Sequence, residues 1–248
     1  FQFMPSVLSF KNAIAFISSG FIFVLIFTLL FGRIYCSSVC PIGIAQDLIL
    51  RIKSLFKKNV FKYSRPLKIR YFFLVAAVIS LIAGNMLVYN ILDPYANFGR
   101  IMITFFRPLF IFFNNTMGSL LEEYKLYLLF QTPYPDMHFL SLSFAGFYFL
   151  LILTMSLKGG RIYCNSLCPV GALLGMLSAK SLLKISMNRE KCIQCKKCES
   201  LCKASCIDIV NKEIDNSRCV SCFNCLTVCS NNSITYGVAG RSESETAR

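Results

Sequence analysis

The chain has 248 residues, 55% of them hydrophobic, with 13 cysteines, one histidine, no tryptophan and a formal net charge of +14. That length holds one or two domains, and a single histidine excludes a bis-histidine haem within the chain. The positive charge does not point to nucleic acid, because it is gathered in short segments between long uncharged runs.

The chain opens on "FQFMPSVLSF", with no charged region ahead of its first apolar run, so no secretory signal is expected and a further span upstream is. Three uncharged runs follow: Ala13 to Gly32, Tyr71 to Leu92 and Phe139 to Leu157. A helix rises about 1.5 Å per residue and a bilayer core is roughly 30 Å thick, so each run is long enough to be predicted as a span. Buried core helices of a soluble protein are the competing reading, but three such runs exceed what a chain of this size would bury.

Between the first two runs lie Arg33, Arg51, Lys53, Lys57, Lys58, Lys62, Arg65, Lys68 and Arg70 against the single acid Asp47. Lys158, Arg161, Lys180 and Lys184 follow the third, while the connection from Asp93 to His138 is balanced. Cytoplasmic loops collect Lys and Arg, which predicts a multi-pass inner-membrane protein with its basic loops in the cytoplasm. The stretch "IMITFFRPLFIFF", broken by Arg107 and Pro108, is predicted to be an interfacial or re-entrant piece and not a span.

The first and third runs each lead into a repeat. "GRIYCSSVCPIGI", at 32–44, returns at 160–172 as "GRIYCNSLCPVGA", with nine of thirteen positions identical. Each copy sets a Cys-x3-Cys-Pro-x-Gly turn at the end of a span, and two intervening crossings put both on one membrane face. Cys36, Cys40, Cys164 and Cys168 are therefore candidate ligands of one shared metal site. A thiol–disulfide redox pair and a purely structural turn are the alternatives. After the second copy, "VGALLGMLSAKSLLKI" has helical apolar spacing with Lys180 and Lys184 beyond it, which predicts an interfacial helix.

Residues 192–229 carry two Cys-x2-Cys-x2-Cys-x3-Cys runs, one starting at Cys192 and the other at Cys219. This is the bacterial two-cluster ferredoxin spacing, in which the fourth cysteine of each run ligates the other cluster. Carried over, Cys192, Cys195, Cys198 and Cys229 hold one [4Fe–4S] cluster, and Cys219, Cys222, Cys225 and Cys202 hold the other. The pattern departs at Lys203 and Ser230, where proline is usual. Zinc sites favour pairs of ligands set further apart, and a cytoplasmic domain disfavours disulfides. Cys206 is extra, and reads as a small buried apolar residue. His138, at the outer edge of the third run, reads as a boundary residue.

The fold class expected is thus an α-helical membrane domain joined to a small C-terminal α+β two-cluster ferredoxin-like domain. The boundaries fall at 1–157 for the membrane domain with its turn at 36–41, 158–186 for the second turn and connector, 187–238 for the ferredoxin domain, and 239–248 for a disordered tail. The spans, the twin CxxxCP turns and the ferredoxin pattern together resemble the polytopic membrane ferredoxins of the NapH/NosR/CcoG type. That resemblance implies single-electron transfer between the quinone pool, or another donor, and a partner redox protein, within a quinol-dehydrogenase-like multi-subunit complex. It equally admits a redox sensing or assembly role in the maturation of another metalloprotein.

Overall fold

The computed structural model describes residues 20–65, 68–123, 130, 132–134 and 139–238. His138, the start of the first apolar run at 13–19 and the tail 239–248 lie outside them.

In the first unit, α1 (Gly20–Phe31) ends at Gly32, and the chain turns into the short α2 (Ile34–Ser38) and then α3 (Pro41–Phe56). The same succession returns as α8 (Phe139–Gly159), Gly160, α9 (Ile162–Ser166) and α10 (Pro169–Ser178). Gly32 and Gly160 have φ of +82° and +72°, a left-handed conformation that stops the long helix and that glycine adopts without steric cost. Pro41 and Pro169 open the next helix at its first position, where a missing N–H costs nothing.

The expected single span over Tyr71–Leu92 is not what forms. Helix α4 (Ile69–Ile82) stops at Gly84, whose φ is +70°, and α5 (Met86–Leu92) folds back against it. Ser80 secures the reversal by donating its hydroxyl to the Asn85 carbonyl at 2.7 Å. The Gly84–Asn85 pair is a turn signal inside a continuously apolar run, and backbone conformation outweighs hydropathy there.

The interfacial piece expected around residues 101–113 is corrected too. Helix α6 (Pro94–Ile101), a π-helical turn at Met102–Phe106 and α7 (Arg107–Glu123) run on without a break. Pro108 has no N–H to offer the turn beneath it, and the wider π turn just ahead absorbs the misfit. Asp93 caps the start, accepting from the backbone N–H groups of Tyr95 and Ala96 at 3.1 and 3.2 Å. Pro94–Leu120 and Phe139–Gly159 are each long and apolar enough to cross a membrane, and only 17% of each apolar window is buried within the chain. A soluble core helix would bury most of that surface, and the exposure of these two fits a membrane protein.

Helix α10 is not the amphipathic interfacial helix expected. Pro169, Val170, Ala172 and Leu174 are buried, and the helix packs against α1 and α4. Beyond it, Leu183–Met187 is a strand, β1, because a strand near the end of the chain supplies its partner. The helix with an exposed apolar stripe is instead α3, through Ile44, Leu48, Ile52 and Phe56.

The C-terminal unit contains β1, α11 (Lys197–Leu201), β2 (Ile207–Asp208), β3 (Glu213–Ile214), α12 (Asn224–Val228) and β4 (Ile234–Val238). Strand β1 pairs antiparallel with β4, with Ile185 opposite Tyr236, and β2 pairs antiparallel with β3. Ile185, Ile207, Val220 and Ile234 fill a small core that cysteines Cys198, Cys202, Cys206 and Cys225 share.

Candidate iron–sulfur sites

Cys192, Cys195, Cys198 and Cys229 line one small cavity, closed by Ile209 and Val228. The loop that gathers the first three alternates its backbone handedness, with φ of 55° at Gln194 and 60° at Lys196. The loop of the second run does the same at Ser221 (49°) and Phe223 (59°). Such alternation turns successive N–H groups into a concave nest that favours negative charge. Non-glycine residues hold these angles only where the surroundings demand it.

The other predicted set also comes together. Cys206 stands 3.5 Å from Cys202, sulfur to sulfur, and hydrogen-bonds to Cys219 as well. Cys222 and Cys225 lie near enough to Cys219 and Cys202 to feel their charge. The hydrogen bond from Cys206 holds the Cys202 thiol down to about 6, whereas burial pushes Cys198 up to about 11. Each fourth cysteine thus lies beside the first three of the opposite run.

The twin turns form a third set. Cys36, Cys40, Cys164 and Cys168 line a single cavity with Tyr35 and, from the start of α6, Asp93 and Tyr95. Cys40 and Cys168 occupy the positions that cap α3 and α10, and the Cys168 sulfur accepts from the Gly171 N–H at 3.3 Å. Burial pushes the Cys40 thiol up to about 11, with help from Cys36. Burial and the neighbouring cysteines raise Cys164 and Cys168 further. Deprotonating thiols so enclosed would require a bound cation, and a metal centre is what this donor set could hold. Among the described residues no three His, Cys, Asp or Glu side chains close around a single ion.

The two arginines are fully buried and act across the repeat. Arg33 of the first unit donates to the Cys164 carbonyl of the second at 3.4 Å and to Asn165 Oδ1 at 2.9 Å. Arg161 of the second donates to the Cys36 carbonyl of the first at 2.8 Å and clamps Asp47 with Nε and Nη2 at 3.1 and 2.7 Å. Burial alone would raise the Asp47 carboxyl, but Arg161 and Lys203 together hold it below the usual carboxylate range. Here the symmetry breaks: the residue equivalent to Asp47 in the second unit is Gly175. Arg33 therefore turns to the Ser217 carbonyl, at 3.1 Å.

These contacts seat the C-terminal unit on the twin turns. Ser217 lies just before Cys219, and Lys203 directly follows Cys202. The Lys203 carbonyl accepts from the Arg161 N–H at 2.8 Å, and its Nζ reaches Asp47 at 3.1 Å. Gly32 faces Ser221, between Cys219 and Cys222, and Tyr236 donates to the Phe31 carbonyl at 3.0 Å. The loops carrying Cys202 and Cys219–Cys225 are thus wedged between the two membrane units, with the Cys192–Cys198 loop on the far side.

The repeat and the cysteine spacing do not reveal Asp93 and Tyr95, which arrive through the α4–α5 reversal. They also do not reveal Gln46, whose Oε1 lies 3.0 Å from Cys164 Sγ, nor the half-buried Tyr148 and buried Tyr163, whose hydroxyls meet. The one available signal was the difference between Gln46–Asp47 in the first unit and Leu174–Gly175 in the second.

Comparison with known proteins matches a family described as a 4Fe–4S binding domain twice, over residues 13–60 and 142–188. Each match contains one of the twin turns. The chain is 28% identical over 183 residues to the ferredoxin-type protein NapH of Haemophilus influenzae, covering 73% of this chain and 51% of that protein. NapH of Escherichia coli is 26% identical, with 75% and 53% covered. The methylamine utilization ferredoxin-type protein MauN of Paracoccus denitrificans is 28% identical, with 72% and 50% covered. The two matches and these relatives support a NapH-type 4Fe–4S ferredoxin family for the chain. They support reading it as an iron–sulfur, ferredoxin-type protein of electron transport. The chain spans about half the length of these relatives. No solved structure matches it.

Proposed function

We propose that the chain is a membrane-bound electron carrier with three cysteine-held redox sites in series, exchanging single electrons with the quinone pool or a partner redox protein. The observation that carries this reading is the wedging of the Cys202 and Cys219–Cys225 loops between the twin turns. Cys192, Cys195, Cys198 and Cys229 would hold the outer [4Fe–4S] cluster, and Cys219, Cys222, Cys225 and Cys202 the middle one. Cys36, Cys40, Cys164 and Cys168 would hold a third group at the membrane. Bound clusters of this kind supply one-electron chemistry at potentials set by charge, hydrogen bonds and exposure. Arg33 places positive charge beside Cys36 and Cys219, and Arg161 does so beside Cys164 and Cys222, which favours the reduced state at both inner positions.

The topology we infer keeps both turns in the cytoplasm. The uncharged run from Ala13 to Gly32, Pro94–Leu120 and Phe139–Gly159 cross, and α4–α5 enters and returns on the inner side. Support comes from its two ends. Arg70, near the start, donates to the Ser217 hydroxyl at 3.2 Å, and Asp93, at the end, lines the cysteine cavity. A cleft between α3 and the middle site, lined by Ile44, Leu48, Arg51, Lys203 and Asn224, offers a quinone headgroup an amphipathic approach from the membrane surface.

Iron and acid-labile sulfide per purified chain, with electron paramagnetic resonance, test the assignment. About eight irons fill the C-terminal pair alone, and a larger count is expected here. Replacing Cys36 and Cys164 together by serine should remove only the excess; a count left unchanged by that double substitution sinks the membrane site. The second reading, a redox sensing or assembly protein, differs in turnover. We expect a menaquinone analogue to reoxidise the reduced protein rapidly in membranes. Reduction that persists would favour the assembly role.

A further inference from the structure

The position four after each crossed ligand carries a buried hydrogen-bond donor. In the first ferredoxin half this is Cys206, 1% exposed, with its sulfur 3.5 Å from Cys202. At the matching place in the second half it is Ser233, 4% exposed, with its hydroxyl 3.0 Å from the sulfur of Cys229. The backbone places both alike: Ser205 and Asn232, each just ahead, share left-handed φ values of 51° and 48°. Ser233 also donates its backbone N–H to Cys229 at 3.3 Å.

We propose that Ser233 and Cys206 are positioning residues that set the two C-terminal redox sites to different potentials, a hydroxyl serving the outer site and a thiol the middle one. This rests on the ligand assignment above. A metal-bound thiolate only accepts, so in the loaded protein the proton of each contact belongs to Ser233 or Cys206. A donor to a ligand sulfur withdraws charge from it and favours the reduced state. An O–H group is a stronger donor than S–H, and 3.0 Å is a closer approach than 3.5 Å. Cys206 also reaches Cys219, a second ligand of the same set, so its one proton is shared between the two. Neither donor faces solvent, so water cannot replace it when it is removed.

The test is a redox titration of the full chain in detergent, followed by electron paramagnetic resonance, for wild type, Ser233→Ala, Ser233→Thr, Cys206→Ala and Cys206→Ser. Ser233→Ala is expected to lower one C-terminal midpoint and leave the other. The expected size is roughly three- to tenfold in the reduction equilibrium, tenfold being about 59 mV for one electron. Cys206→Ala should lower the other midpoint alone, Ser233→Thr, which keeps the hydroxyl, should stay near wild type, and Cys206→Ser, which exchanges a thiol for a stronger donor, should not fall below it. Midpoints that do not move, or both alanine variants moving the same midpoint, overturn the proposal. Iron content separates this from the assignment beneath it. About eight or more irons in wild type with unmoved midpoints defeats the tuning alone, and fewer defeats the ligand sets themselves.

Discussion

Replacing Arg161 by alanine should destabilise the protein by about 3–5 kcal/mol, the usual consequence of leaving a buried charge without its partner. The side chain is wholly enclosed, and it joins Asp47, the Cys36 carbonyl and, through its backbone, Lys203. Removing it strands Asp47 with Lys203 alone and frees the contact between the repeats. Asp47→Ala should be nearly as damaging, since the guanidinium then keeps one carbonyl. The double variant should lose much less than the sum, because neither group remains to be left unpaired. Thermal unfolding in detergent, followed by circular dichroism and iron release, measures all three. A loss for Arg161→Ala no greater than that for the exposed Arg51→Ala would show the clamp to be incidental. The contribution of Asp47 also has a pH signature. Its carboxyl is held below the ordinary 3.8, so the unfolded chain binds its proton first as acid is added. The stabilisation is complete above that value and fades as the pH falls through the lowered one.

The second large effect is expected at Gly171. A Cβ there would lie 2.1 Å from the Cys164 carbonyl oxygen and 3.0 Å from Arg33 Nη2. The first of these is backbone and cannot turn aside, so Gly171→Ala should cost about 1–3 kcal/mol and displace Cys164. Gly43→Ala repeats the test in the first unit, where the Cys36 carbonyl oxygen is 2.3 Å away. Gly99 is the control: it lies in a helix with nothing within 4 Å. Its alanine variant should gain up to about 1 kcal/mol from helix propensity. If Gly171→Ala and Gly99→Ala unfold at the same temperature, the close approach between turn and helix is not tight.

What could be read in advance depended on how local the signal was. The ferredoxin ligand pattern and the twin turns are written in short spacings, and the structure brings each of the three cysteine sets together. The helix boundaries failed where two local signals competed. An unbroken apolar run at Tyr71–Leu92 hid the reversal at Gly84. Conversely, Arg107 and Pro108 suggested an interruption that a π turn carries through. The connector misled for a different reason. Leu183–Met187 has apolar residues that serve a helix or a strand equally. Only a partner far along the chain decides, in a register that runs from Leu183 with Val238 to Met187 with Ile234. Arg33 and Arg161 could be counted as boundary charges, but nothing in the sequence says that each reaches into the opposite repeat.

The exchange of Asp47 for Gly175 gives an otherwise two-fold arrangement a direction. At position 175 even a methyl group would meet the Ser217 carbonyl oxygen at 2.5 Å, so the acid present in the first half has no room in the second. The C-terminal unit therefore docks on the twin turns in one orientation. A duplicated gene whose halves had stayed identical would have offered two equivalent seats and no means of choosing between them. The single lost side chain converts that ambiguity into a fixed orientation.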